Sequence, residues 1–284
     1  MRIRVHAARR ALCLALATTT VSVTAAAASI STGRWGLGAQ VSGAVMPGDV
    51  DRIREAFGNR PPTTLTLDIA PGSEPQALVQ MAAWLREAQP LVSFKGSCAG
   101  PCAVFVLPAA RIQAIEPGTV IAFGGMAEAP ARIKDQIDAG EVFIADEASQ
   151  QARDNFLRQY GDRIRGALAL RDERLRSASL PGPVQAFIDE SVGHWRLDRL
   201  SFSEGSSRFT LKPGTHRCLW WVPDAQGLAQ LGVQAPGYLP ADAAGAARRL
   251  GVPATVIYAG PALTELPAQP LCPGQKGLKL PPRP

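Results

Sequence analysis

The residues of this chain that could do chemistry are concentrated in one short segment, Gly96-Ser-Cys-Ala-Gly-Pro-Cys102. Two thiols and a hydroxyl lie there between two apolar runs, at residues 91–94 and 103–107. This order predicts a buried strand, a tight turn and a buried helix. A cysteine at a helix N-terminus loses its proton more readily, because the helix stabilises the thiolate. Nucleophilic catalysis and thiol chemistry are therefore the two activities to weigh.

The thiol chemistry can be judged from spacing. Gly100-Pro101-Cys102 resembles the end of the Cys-Gly-Pro-Cys motif of thioredoxins, which also lies at a strand-to-helix junction. Here three residues separate Cys98 from Cys102, one more than in that motif, and no aromatic residue precedes Cys98. We therefore favour a structural disulfide in this turn, with a thiol-disulfide oxidoreductase that uses Cys98 and Cys102 as the alternative.

The cysteine count indicates an oxidising compartment. Apart from Cys13 near the N-terminus, the chain holds Cys98, Cys102, Cys218 and Cys272. An even number of cysteines in an exported protein favours disulfides over free thiols, and four cysteines allow three pairings. We favour Cys98 with Cys102 and Cys218 with Cys272, because the second bond would tether a Pro-rich C-terminal tail.

The N-terminus has the pattern of a secretory signal peptide. Four arginines fall within residues 1–10, residues 11–28 are apolar or small, and Ala25 to Ala28 supply an A-x-A type cleavage site. We expect cleavage near Ala28 and a periplasmic or secreted protein, with an uncleaved membrane anchor as the alternative. No later segment is apolar over the length that a membrane helix needs, so we expect no integral span after cleavage.

The net charge of +6 comes mostly from this N-terminal segment. Without its four arginines the chain has 26 basic and 24 acidic residues, a net charge of +2. The basic isoelectric point is therefore no argument for nucleic-acid binding. Only His194 and His216 remain outside the signal peptide, and they are isolated from each other in sequence. We predict neither a metal site nor a cofactor.

Around the turn, strand patterns and helix patterns alternate. A helix is predicted over residues 50–57 with Asp49 as its cap, and a second helix runs to about Ala88 from a capping box whose N-cap is Ser73. The predicted strands are residues 40–46, 64–69, 91–94 and 120–123. Alternating strands and helices predict an α/β domain with a largely parallel sheet.

The chain beyond residue 144 divides into a helical part and a C-terminal part. Residues 144–191 are predicted to be mainly helical, and their run of Arg and Glu at 171–176 is interpreted as a solvated helix face. Residues 196–211 and 218–222 have β patterns, and Trp220 and Trp221 must point to opposite faces of their strand. The Pro- and Lys-rich tail at 267–284 is expected to be irregular.

Three blocks of sequence, in order, resemble the exported Clp-protease/crotonase-like proteins of bacteria. They are Gly43-Ala-Val-Met-Pro-Gly-Asp-Val-Asp51, Leu67-Asp-Ile-Ala-Pro-Gly-Ser73, and Ser97-Cys-Ala-Gly-Pro-Cys102 with Gly118-Thr-Val-Ile-Ala-Phe-Gly124 after it. The resemblance covers residues 43–124 and is weaker at 217–233. It implies a Clp/crotonase-like ββα superhelix with a largely parallel sheet and a small C-terminal extension.

The domain organisation that we expect on this basis has three parts. Residues 1–28 are the signal peptide, and residues 29–195 form the Clp/crotonase-like α/β domain. Residues 196–284 form a C-terminal extension that a disulfide staples and that ends in the Pro-rich tail.

In the family that this chain resembles, the three blocks build a serine-hydrolase site. A Gly-Gly turn donates a backbone N–H to the oxyanion, a serine at the helix start attacks, the next N–H is a second donor, and a histidine takes the serine proton. The matching positions here hold Pro71-Gly72, Gly100, Pro101 and Gly124. The chain therefore lacks the nucleophile, the base and, because proline has no N–H, one oxyanion donor.

These losses predict an inactive site. Losing one oxyanion donor costs about 10²–10³ in rate, and losing the nucleophile of a triad costs on the order of 10⁶. A hydrolase with a relocated nucleophile, at Ser73 or Ser97 with Lys95 nearby, is the remaining catalytic alternative. We interpret Ser73 as the helix cap and Ser97 as a hydroxyl that satisfies backbone groups in the turn.

The function that the sequence favours is an exported pseudoenzyme that binds a peptide or an envelope protein, or serves as a scaffold. Clp-like domains hold extended peptides beside their cleft by strand addition, which needs no catalytic residue. The related enzymes commonly self-associate, so a homo-oligomer is a further expectation. In such a fold the turn at 67–73 must face the turn at 98–102 across one cleft.

Overall fold

The computed structural model describes residues 28–32, 38–58, 61–140, 147–177, 180–193, 195–203, 206–213, 219–235, 238–240 and 242–260. Several predictions lie outside the described residues. These are the signal peptide up to residue 27, the Cys218–Cys272 pair, His194, His216 and the C-terminal tail.

The strands and helices alternate along the first half of the chain, as the sequence predicts. The strands are β1 (Ser29–Thr32), β2 (Gly38–Gly43), β3 (Thr64–Ile69), β4 (Leu91–Phe94), β5 (Ser97–Ala99), β6 (Arg111–Ile115), β7 (Val120–Ala122), β8 (Trp195–Ser203), β9 (Ser206–Pro213), β10 (Trp220–Pro223) and β11 (Ile257–Gly260). The helices are α1 (Asp49–Phe57), α2 (Pro75–Ala88), α3 (Leu107–Ala109), α4 (Ala129–Asp138), α5 (Glu147–Ser177), α6 (Gly182–Gly193), α7 (Ala225–Gln230) and α8 (Ala243–Leu250).

The main sheet has the strand order β1-β2-β3-β4-β6. Only β1 runs antiparallel to its neighbour, and the pairs β2–β3, β3–β4 and β4–β6 are parallel. Two further parallel pairs are β5–β7 and β10–β11, whereas β8 and β9 form an antiparallel hairpin. The predicted α/β class with a largely parallel sheet is confirmed.

The core of the sheet forms because alternate residues of its central strand point to one side. Leu65, Leu67 and Ile69 of β3 are buried, and Met81 and Leu85 of α2 belong to the same apolar cluster. Each such side chain contributes about 1.5–3 kcal/mol when it leaves water. This packing fixes the position of the loop that follows β3.

The chain leaves the main sheet after β4 at a glycine whose backbone conformation and close contact with Asp68 both disfavour a side chain. Gly96 has φ +69°, and a Cβ atom there would lie 2.0 Å from Oδ1 of Asp68. The backbone turns there into β5, a short strand that the sequence analysis did not anticipate between β4 and the helix. A buried π-helical turn over Cys102–Val106 then continues into α3. The expected strand, turn and buried helix are present, with β5 inserted among them.

The two predicted helix caps are wrong by one residue. Gly48 is the N-cap of α1, and Asp49 is the first helical residue. Glu74 is the N-cap of α2, because the helix begins only at Pro75, and its carboxylate accepts from the N–H of Ala77 at 2.8 Å. The hydroxyl of Ser73 has another role, described below.

The prediction of a solvated face at residues 171–176 is wrong for Arg174. This residue is buried, and its guanidinium donates to both carboxylate oxygens of Glu128 at 2.7 and 2.9 Å and to Asp189 of α6. Burial lowers the pKa of Arg174, but the hydrogen bonds and charge of Glu128, followed by those of Asp189, outweigh it and leave the pKa raised. The missed pattern is periodic, because Ala167, Leu170 and Arg174 are buried at helical spacing.

We expect Glu128→Ala to lower the free energy of unfolding by about 3–5 kcal/mol, because a buried guanidinium then loses its bidentate partner. Arg176→Ala, which removes an exposed ion-pair partner on the same turn of α5 as Arg174, is the control. Its side chain is 72% exposed and pairs only with Glu173 among the described residues, so it should cost less than about 0.5 kcal/mol. Urea unfolding followed by circular dichroism compares them. Equal midpoints for the two variants would show that the buried ion pair does not stabilise the fold.

Candidate functional site

The loop after β3 and the turn after β5 face each other across one cavity of about 430 Å³. The loop contributes residues 69–76, and the turn contributes Ala99, Gly100 and Pro101. This is the juxtaposition that the sequence analysis required. It arises because β3 and β4 are neighbours in the main sheet and β5 follows β4 after a single turn.

The remaining walls of the cavity come from later parts of the chain. Helix α5 covers one side, the segment between β7 and α4 adds a second wall, and Trp220 and Leu250 close a third. Most of the lining side chains are apolar, and the charged ones belong to Glu74, Asp162 and Arg163. The apolar lining side chains outside the two turns are Leu78, Ala127, Pro130, Ala167, Leu170, Trp220 and Leu250.

Gly100, at the position where the resemblance leads one to expect a serine, forms a turn through its backbone alone. Its φ is +56°, a left-handed conformation that side chains disfavour. Its N–H already donates to the carbonyl of Ala122 at 2.9 Å, and its carbonyl accepts from Val104 at 3.0 Å. Because Pro101 has no N–H, these two residues offer no backbone donor to an oxyanion in the cavity. The remaining candidate for the oxyanion region, Gly72, lines the cavity from the opposite loop.

At Gly124, where the resemblance leads one to expect a histidine, strand β10 and the residue before it occupy the space that a side chain would need. A Cβ atom at Gly124 would lie 2.6 Å from the carbonyl oxygen of Leu219 and 2.7 Å from Cε3 of Trp220. The same indole lies over the turn, because a Cβ atom at Gly100 would be 3.6 Å from its Cη2. Trp220 therefore occupies the space between the two positions, and a histidine side chain has no room at residue 124.

Strand β10 is held in this place by pairing with the residue before Gly124. Phe123 and Trp221 exchange two backbone hydrogen bonds of 2.8 Å, and their rings lie 5.4 Å apart. Trp220 and Trp221 belong to different apolar clusters, so they point to opposite faces of β10 as predicted. Sequence reasoning did not place Trp220 at the cavity. The available indication was two consecutive small residues, Gly124 and Gly125, in a chain that also carries two consecutive tryptophans.

Both serines that could act as relocated nucleophiles have structural roles. Ser97 donates its hydroxyl proton to the carbonyl of Ile69 at 2.8 Å and so connects β5 to the end of β3. Ser73 donates to the carbonyl of Ala70 at 2.9 Å and accepts from the N–H of Val45 at 3.0 Å. The interpretation of Ser97 as a backbone-satisfying hydroxyl is confirmed. That of Ser73 as a helix cap is wrong, because it ties the β3 loop to the end of β2.

The predicted disulfide between Cys98 and Cys102 is confirmed. It joins β5 to the first residue of the π-helical turn and so fixes both ends of the Gly100 turn. Both cysteines are completely buried. A thiolate must be accessible to exchange with a substrate disulfide, and buried structural cysteines are inert.

The described residues contain no group of three or more histidine, cysteine or acidic side chains that could hold a metal ion. Among the helices in the ranges given above, none combines the length and the apolar character needed to cross a membrane. Comparisons with protein-family models, with curated proteins and with solved structures found no match for this chain.

We expect Gly124→Ala to lower the free energy of unfolding by about 1–3 kcal/mol, because the new methyl group must displace the Leu219 carbonyl and the Trp220 ring. Gly166→Ala in α5 is the control, since no atom beyond the helix's own backbone and the adjacent residues lies within 4 Å of the added methyl group. It should be neutral or raise the free energy of unfolding by up to about 1 kcal/mol, as alanine is the better helix former. Urea unfolding measures both. Equal stability of the two variants would contradict the packing described for Trp220.

Proposed function

We propose that this chain is an exported pseudoenzyme of Clp-protease/crotonase-like fold that binds an extended peptide, or an extended segment of an envelope protein, in the cavity. The observation that carries the proposal is the cavity itself. It is open and mainly apolar between the two turns, while Trp220 occupies the space that a serine and a histidine would share.

The cavity has the size and character of a binding site. Its volume of about 430 Å³ falls within the range of about 300–1,000 Å³ that is usual for small-ligand pockets. Apolar side chains dominate its walls, which suits apolar side chains of a bound segment. The carboxylate of Glu74 is already engaged as a helix cap, so it is not free to select a basic side chain.

Strand β5 supplies a backbone edge beside this cavity. Gly96 and Gly100 bond to β7 through their main-chain groups, and Cys98 is in register with Ile121. In a parallel pair, alternate residues face the partner strand, so the N–H and C=O groups of Ala99 point away from β7. Ala99 also lines the cavity. An extended peptide can pair with this edge and place alternate side chains in the apolar space, which is the β-augmentation mode of recognition.

The same geometry weighs against the two catalytic alternatives. The hydroxyl protons of Ser73 and Ser97 are donated to backbone carbonyls, which opposes a relocated serine nucleophile. The burial of Cys98 and Cys102 opposes a thiol-disulfide oxidoreductase. Noncatalytic binding requires neither a free hydroxyl nor a free thiol. The experiments below distinguish binding in the cavity from a scaffold role through another surface.

We expect no labelling of the mature protein by a serine-directed fluorophosphonate, because neither cavity-facing turn presents an activated hydroxyl. The double variant Gly100→Ser/Gly124→His should also stay unlabelled, since Pro101 has no N–H and Trp220 fills the space for the histidine. Gel fluorescence and intact mass measure the outcome. Stoichiometric labelling of any serine in the unmodified protein would overturn the assignment as a pseudoenzyme.

We expect Gly166→Trp to abolish peptide capture by filling the cavity. Gly166 lines the cavity, its Cβ position is open, and helix α5 places a new side chain there without a left-handed backbone. The mature protein, immobilised, would be exposed to a protease digest of envelope proteins, and the retained peptides identified by mass spectrometry. Enrichment of apolar peptides should fall roughly tenfold or more in this variant.

The matched control is Gly161→Trp, which adds the same side chain to the same helix outside the cavity lining. It should retain the peptides that the unmodified protein retains. If Gly166→Trp and Gly161→Trp capture equally well, the cavity is not the binding site. Partner capture that survives both changes would support a scaffold surface.

A further inference from the structure

The first described residue, Ala28, is held by charged groups at both ends of its backbone. Its N–H donates to Oδ2 of Asp49 at 3.1 Å, and its carbonyl accepts from Nη1 of Arg52 at 3.3 Å. Ala28 and Asp49 are both 1% exposed. Ala28 thus enters the core immediately before β1, at the antiparallel edge of the main sheet.

The acceptor that meets the N–H of Ala28 is a carboxylate, although a neutral acceptor would satisfy an amide equally well. Its carboxylate also accepts from the N–H of Met46 at 2.9 Å and pairs with Arg52 at 2.7 Å. Arg52 is the only cation paired with Asp49 among the described residues, and its side chain is half exposed. A buried carboxylate is stabilised chiefly by close charged partners, so a second cation at the Ala28 nitrogen would suit this site well.

The sequence allows several cleavage registers, because Ala25, Ala26, Ala27 and Ala28 are all small. The fold distinguishes between them. Cleavage after Ala28 would remove both contacts of Ala28 with Asp49 and Arg52. Cleavage after Ala25, Ala26 or Ala27 would keep both, and of these only cleavage after Ala27 would place a new amino group at the atom that already faces the Asp49 carboxylate.

We propose that export processing cuts between Ala27 and Ala28 and that the resulting α-ammonium group forms a buried ion pair with Asp49. The step is hydrolysis by a signal peptidase, in which one water is added across the peptide bond, leaving a carboxylate on Ala27 and an ammonium on Ala28. Since Ala28 is buried in the folded chain, cleavage precedes folding. The inference rests on the export that forms part of the proposed function.

Cleavage would then stabilise the fold as well as separate the protein from its signal peptide. Before cleavage the nitrogen of Ala28 is a neutral amide, and afterwards it is a cation beside the same oxygen. The pair would tie the start of β1 to the first turn of α1. The edge strand of the main sheet would therefore be fixed most firmly in the processed protein.

The processing site is tested by intact mass and N-terminal sequencing of the protein recovered from the envelope or medium. We expect Ala28 as the first residue. An exported product that begins at Ser29 or elsewhere would overturn the inference while leaving the proposed export intact. Retention of the whole chain in the cytosol would instead contradict the export on which both depend.

The ion pair is tested by a double-mutant cycle on the mature protein, released from an N-terminal fusion by a protease that leaves no extra residue. The chain begins either at Ala28 or at one added glycine, which turns the Ala28 nitrogen back into an amide, and each form is made with Asp49 or Asp49→Asn. With Asp49 present, the added glycine should reduce the folded-to-unfolded ratio roughly tenfold. With Asp49→Asn it should have less than about a twofold effect. Equal effects in the two backgrounds would refute the pair.

A second measurement covers the case in which Asp49→Asn fails to fold. The rate at which an amine-acylating reagent modifies the N-terminus is compared between the folded and the urea-unfolded mature protein. A buried ammonium paired with a carboxylate should react at least tenfold more slowly when the protein is folded. Equal rates would show a free N-terminus and overturn the inference.

Discussion

The close approach of β10 to the backbone of Gly124 is the contact on which the character of the cavity depends. The Phe123–Trp221 backbone pair sets the distance between the strands, and only glycine at 124 leaves room for the Leu219 carbonyl and the Trp220 ring. The same packing carries the indole across to Gly100 and makes it a cavity wall. One steric constraint therefore fills the space between Gly100 and Gly124 and builds an apolar wall of the cavity.

A buried ion pair positions the opposite wall. Gly166, Leu170 and Arg174 recur every four residues on α5, so the face that borders the cavity also carries the guanidinium. Arg174 forms ion pairs with Glu128, which directly precedes α4, and with Asp189 of α6. The helix that covers the cavity is thereby tied to the segment leaving β7, the strand that also pairs with β5. Both walls of the cavity are therefore connected to residues that follow β7.

Local patterns carried the fold prediction, and long-range contacts limited it. The alternation in Thr64–Ile69, the apolar face of Pro75–Ala88 and the spacing of Cys98 and Cys102 are each encoded within a few residues, and each prediction is confirmed. Arg174 was missed as a buried residue because its partners, Asp189 and Glu128, lie 15 and 46 residues away. Trp220 was missed as a cavity residue because the glycines that it packs against, Gly100 and Gly124, lie far earlier in the chain. A run of charged residues in a helix predicts a solvent-exposed face unless a distant partner that neutralises one of the charges is known. The helix caps failed for a smaller reason, since a shift of one residue moves the cap to Gly48 or Glu74.

Most polar groups at or beside the cavity already have hydrogen-bond partners within the chain, and this affects which ligands the cavity could select. Ser73, Ser97, Glu74 and the N–H of Gly100 all have partners within the chain. A ligand would meet mostly apolar surface and the main-chain edge of β5, with Asp162 and Arg163 as the charged side chains of the lining besides Glu74. Backbone shape and apolar side chains would therefore contribute most of the contact area. Gly166 supports this reasoning. Glycine inside a helix costs about 1 kcal/mol relative to alanine, and no neighbour within 4 Å requires it here. Its effect on the structure is to leave the cavity open, which is the state that a binding protein needs and that a packed core would not keep.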